Sequence, residues 1–154
     1  MKLIKNIRLL LGIFIALLLL SGITAFPVRT EIKFLIEHIN LFPEFIQIWL
    51  MKLSTTFSLT PEIILYGTDW LAFAHIIISL FFIPVYINPV KHKANIIIGI
   101  ISCFAVFPLA FICGPIRGIP FFHQLIDCCF GVGGMLLLFI IYKKINKFQK
   151  YEKR

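Results

Sequence analysis

The chain has 154 residues, 60% of them hydrophobic and only 14% charged, with a mean hydropathy of +0.97 and a formal charge of +8. A soluble domain carries about 25% charged residues, so this much apolar surface calls for lipid as its solvent and excludes an ordinary water-soluble fold. The basic excess does not point to a nucleic-acid partner: eleven of the fifteen basic residues flank apolar runs (Lys2, Lys5 and Arg8; Lys91 and Lys93; Lys143, Lys144, Lys147, Lys150, Lys153 and Arg154), the pattern of cytoplasmic loops.

In chain order, the first apolar run covers about 9–26 and follows Lys2, Lys5 and Arg8. A span is one reading. The basic start and SGITA before Phe26 also resemble a secretory signal peptide, and cleavage there would leave three spans. The 27–67 segment is expected outside. Thr30 can cap a helix, with Glu31 in its first turn. Ile32, Leu35, Ile36 and Ile39 then share one face, opposite Glu31, Lys33, Glu37 and His38, which predicts an amphipathic helix. Asn40 to Pro43 breaks it. A second helix is expected from Pro43 toward Leu53, carrying Phe45, Ile48, Trp49 and Leu50, and Thr60–Pro61 marks a further turn or helix start. Both helices are expected to lie on the outer membrane face or to cap the bundle.

Three more spans are expected over about 70–87, 94–113 and 122–142, each near the roughly 20 residues that a helical crossing needs. Pro108 is expected to kink the third. All must be helices, because lipid cannot satisfy free backbone groups. The fold class is therefore all-α: one domain, a four-helix transmembrane bundle with amphipathic interfacial helices in its first external segment. The basic flanks fall before span 1, between spans 2 and 3, and after span 4. Those places share one side, so both termini are expected to be cytoplasmic.

Asp127 is the costliest residue in the chain, since a carboxylate in a span costs roughly 2.5–3.5 kcal/mol on insertion scales. On span 4, His123, Asp127 and Gly131 recur at i, i+4 and i+8, and Gln124 adjoins them; this face is expected to turn into the bundle. Gly131, Gly133 and Gly134 would admit a close helix approach. On span 2, Thr68, Ala72, His75 and Ser79 form a second stripe, with Asp69 and the interface anchor Trp70 at its outer end. Gly99, Cys103, Val106, Ala110 and Cys113 give span 3 a small-residue face.

His75 and Asp127 have similar expected depths, and GPIRGIP would hold Arg117 above them, able to grip a carboxylate through two hydrogen bonds. Three readings follow. The group is an internal clasp that ties the bundle together. Alternatively, it is a binding or proton site in which Arg117, Asp69, His123 and Gln124 contact a ligand. Alternatively, Asp127 and His75 do acid–base chemistry, since histidine exchanges protons near neutral pH. His123 and Asp127 have metal-ligand spacing, yet no HExxH, phosphate-binding loop or GxSxG is present, and neither metal nor cofactor is expected. The four cysteines form no CxxC and behave as small apolar residues, with a Cys113 disulfide to span 4 left open.

The stretches YGTDWLAFAHI (66–76) and GPIRGIPFFHQLIDCCFG (114–131) resemble those of small bacterial four-span inner-membrane proteins without an assigned activity. That resemblance implies that the outer-side residues form one recurring module. Lipoprotein signal peptidases are similar in architecture and use two aspartates, but the asparagine-rich motifs that surround theirs are missing around Asp69 and Asp127. The expected function is that of a small inner-membrane accessory or binding protein with a polar pocket on the periplasmic side. The alternatives are a membrane enzyme in which Arg117 holds an anionic group, or one subunit of an oligomeric proton-linked transporter. The expected partners are the lipid bilayer and another membrane protein or a second copy of the chain.

Overall fold

A computed structural model describes residues 2–152. Among them there is no strand, and four helical stretches are long and apolar enough to cross a membrane: Lys2–Ala25, Glu62–Ile87, Lys93–Ile116 and Phe121–Tyr151. Lys153 and Arg154 of the basic flank lie outside the described residues. The chain divides into two compact units, one made of the residues up to Leu17 and those from Ser79 onward, the other of Leu18–Ile78.

The second unit begins with the end of α1 (Lys2–Ala25). Helix α2 spans Val28–Glu37, ahead of the expected cap at Thr30. Its first turn forms on Pro27, whose carbonyl accepts the Glu31 N–H at 3.0 Å, so the helix is nucleated before Thr30 is reached. The amphipathic face is as expected: Ile32 is buried, Leu35, Ile36 and Ile39 are half-buried, and Glu31, Lys33, Glu37 and His38 are exposed.

Helix α3 spans Glu44–Leu59, beyond the expected end near Leu53. The run of hydroxyl residues does not stop it, because Thr55, Thr56, Ser58 and Thr60 hydrogen-bond back to the carbonyls of Met51, Lys52, Thr55 and Thr56. Arg29 fastens α2 to the far end of α3. Its guanidinium donates to the carbonyls of Phe57 (3.1 Å) and Thr60 (2.9 Å) and pairs with Glu62. Helix α4 then covers Glu62–Leu80, starting well ahead of residue 70. Gly67 does not interrupt it. Against α4, Gly22 allows backbone contact: a Cβ there would lie 2.8 Å from the Ala72 carbonyl oxygen and 2.8 Å from Ile76.

In the first unit, α5 (Ile83–Ile87) follows a turn at Phe81–Phe82. The Asn95 amide donates to the Phe81 carbonyl at 2.9 Å and so satisfies a group that the turn frees. Helix α6 (Lys93–Pro108) and helix α8 (Phe121–Glu152) form the main packed pair. Gly99, Gly131 and Gly134 let them approach; a Cβ on Gly131 would come 2.9 Å from the Cys103 carbonyl oxygen, whereas Gly133 faces open space. Ile7, Leu11 and Phe14 of α1 are buried in this unit with Phe82, Val85, Ile96, Leu138, Ile141 and Ile145. Arg8 caps α5, donating to the carbonyls of Tyr86 (3.2 Å) and Ile87 (3.1 Å).

Pro108 does not reverse the chain. It is followed by a π-helical turn, Leu109–Cys113, and a short helix α7, Gly114–Ile116. Pro108 cannot donate the i→i−4 hydrogen bond, and the widened turn follows directly after it; such insertions are frequent at functional sites. The chain then reverses through Gly118, whose φ of +67° closes a Schellman motif: Ile119 N–H to Gly114 O at 2.9 Å and Gly118 N–H to Pro115 O at 3.0 Å.

Candidate functional site

Between the π-turn, the 114–120 reversal and the start of α8 lies a recess of about 270 Å³. Val106, Leu109, Ala110 and Ile119 give it apolar walls. Cys113, Gly114, Arg117, Gln124 and Asp127 complete the lining. It is therefore a mostly apolar hollow with one guanidinium, one carboxylate and one amide on its walls.

Gln124 is the fixed member. It is only 4% exposed, and its Nε2 donates to the Ile119 carbonyl at 2.8 Å. Its side chain lies against Gly114, where a Cβ would come 2.7 Å from Cδ. Gly114 is therefore required by close approach and Gly118 by backbone conformation. Together they hold Arg117 at the rim, where its side chain is exposed.

The expected inward face of α8 is displaced. The buried line runs through Gln124, Cys128, Gly131, Leu138, Ile141 and Ile145. His123 and Asp127 lie one residue to the side of its first two members, with side chains 37% and 50% exposed. The buried face includes Gln124, whose amide reaches back to the Ile119 carbonyl of the reversal. Asp127 Oδ1 lies 4.0 Å from His123 Nε2, and no ion pair links Asp127 to Arg117 among the described residues. The two charges share a recess without closing on each other.

The other two expected residues belong to the second unit. His75 is exposed, and its Cβ lies 3.3 Å from the position a Gly22 Cβ would take. The buried members of its stripe are Ala72 and Ser79. Asp69 is half-buried and lines a second recess of about 200 Å³ with Phe26, Tyr66, Trp70 and Phe73. All four cysteines are free thiols. No group of three or more His, Cys, Asp or Glu residues suited to a metal ion occurs among the described residues.

Neither the π-turn nor the clamp by Arg29 is written in the periodicity of the chain. Pro108, five residues before Cys113, was the available signal for the first; nothing local announces the second. Comparison of the chain with protein-family models, with curated proteins and with solved structures found no match.

Proposed function

We propose that the chain is a multi-pass protein of the bacterial inner membrane, with both termini cytoplasmic, that acts as a small accessory binding protein. Membrane insertion is supported by the four apolar helices, whose most hydropathic windows are at most 22% buried in the protein itself. The basic flanks support the orientation. On that reading the 114–120 reversal and its recess belong to the periplasmic side.

The observation that carries a binding role is the recess itself, in which Arg117 and Asp127 stand on the walls without pairing to each other. An internal clasp would have drawn the two together. Separate charges over apolar walls suit a small ligand with an anionic group for Arg117 and a donor for Asp127. A second reading, acid–base chemistry, draws on the approach of His123 to Asp127.

Arg117→Lys, Asp127→Asn and His75→Ala are to be compared for folded yield in detergent and for rescue of a deletion strain. A binding recess predicts normal yield with lost rescue for the first two, and little effect for His75→Ala. Collapse of yield in Arg117→Lys or Asp127→Asn would assign the pair to structure instead.

A further inference from the structure

The second recess has a chemistry of its own. Tyr66, Asp69, Trp70 and Phe73 recur at i, i+3, i+4 and i+7 on α4, so they share one face, and Phe26 joins them from the turn after α1. The rings stand as successive walls. Tyr66 and Trp70 have centroids 6.1 Å apart and planes at 82°; Trp70 and Phe73 are 6.3 Å apart at 87°. Tyr66 and Trp70 remain 57% and 58% exposed, so much of their ring surface is unused by packing. Interfacial anchoring alone would explain scattered aromatics. Here four aromatic side chains and one carboxylate line a single recess.

Asp69 forms no ion pair or hydrogen bond through its side chain among the described residues. Of the three basic residues in the 18–78 stretch, Arg29 is engaged with Glu62 and two carbonyls and Lys52 lies over the Trp49 ring at 5.4 Å, while Lys33 is exposed on α2 and does not line the recess. The 18–78 stretch also reverses the sign of the chain. It holds five of the seven acids but only three of the fifteen bases. An anion is disfavoured there, and an uncharged apolar ligand would leave Asp69 desolvated without compensation. A hard metal ion needs several oxygen ligands, and the recess offers one carboxylate. A large, weakly hydrated organic cation satisfies both features, since aromatic faces attract it through their quadrupoles and the carboxylate balances its charge.

We propose that Phe26, Tyr66, Trp70 and Phe73 form an aromatic cage that binds an alkylammonium group, with Asp69 as its counter-charge. The volume of about 200 Å³ is below that of drug-sized pockets, which suits a headgroup rather than a whole large ligand. The group can come from a choline-type phospholipid or from a free quaternary amine. This proposal stands independently of the role of the Arg117 recess.

The test uses the full chain in detergent, titrated with tetramethylammonium chloride at constant ionic strength against sodium chloride, with tryptophan fluorescence and calorimetry as readouts. A saturable response is expected. It should weaken roughly tenfold in Asp69→Asn and in Trp70→Leu, and persist in Trp70→Phe, which keeps a ring face. The choline isostere 3,3-dimethylbutanol, which lacks the charge, should not compete. Absence of a saturable response in the wild type overturns the proposal. So does unchanged affinity in Asp69→Asn, or equal binding of the uncharged isostere. Nanodiscs then separate the sources: phosphatidylcholine discs should abolish the response if a lipid headgroup fills the cage. The response should survive there, as in phosphatidylglycerol discs, if the ligand is a free amine.

Discussion

Asp127 Oδ1 lies 4.0 Å from His123 Nε2, one helical turn away, while the Arg117 guanidinium on the same recess makes no ion pair with it among the described residues. A half-exposed pair of this kind is worth only about 0–1 kcal/mol. The carboxylate is therefore expected to be dispensable for folding. Asp127→Leu, which removes a costly group from an apolar helix, should melt in detergent no earlier than the wild type. A clear fall in its melting midpoint would mean that Asp127 is a structural partner after all.

Gly131 and Gly133 are two residues apart on α8 and should respond oppositely to alanine. A Cβ on Gly131 meets a backbone oxygen at 2.9 Å, so the α6–α8 pair must shift, at a cost of about 1–3 kcal/mol. A Cβ on Gly133 meets nothing within 4 Å. There, alanine should be neutral or stabilise by roughly 0.5–1 kcal/mol. Thermal melts of the two variants under identical detergent conditions check this ordering.

Gly118 is needed for its φ of +67° and not for space, since no atom lies within 4 Å of its would-be Cβ. Gly118→Ala should therefore cost about 1–2 kcal/mol, and Gly118→Asn less, because asparagine tolerates the left-handed region. Gly114→Ala fails for the other reason, a clash with Gln124, and Gly114→Asn should not rescue it. Folded yields of the four variants distinguish conformation from crowding.

The orientation predicts that a reporter fused after Lys91 gives a cytoplasmic signal and one after Ser58 a periplasmic signal. The reverse pair of signals would invert the protein and place the Arg117 recess on the cytoplasmic side.

Helix α1 supplies Ile7, Leu11 and Phe14 to a buried core, and Arg8 caps α5. Deletion of the residues before Phe26 is therefore expected to abolish folded yield. A shorter stable product cut near Ala25 would instead support signal-peptide processing.

Helix class and the four long apolar segments were legible in the sequence, because hydropathy over a 20-residue window and the flanking lysines are local properties. Element ends were less so. Helix α3 outran its expected limit because hydroxyl side chains bonded back to their own helix, and α4 began before Gly67 because Pro61 nucleated it. The residue types of the Arg117 recess could be named in advance. Their roles could not: periodicity put His123 and Asp127 on the inward face, but burial followed Gln124, whose amide binds a carbonyl across the reversal.

By itself, then, the sequence determined an all-helical chain with four stretches apolar enough for a bilayer and a rare carboxylate in one of them, since each is written in neighbouring residues. Only the tertiary structure decided that a π-helical turn after Pro108 forms a recess wall, that Arg117 and Asp127 line one hollow without pairing to each other, and that four aromatic side chains line a recess with Asp69. Those relations depend on backbone reversals and ring orientations, which arise from contacts between elements and leave no periodic trace along the chain.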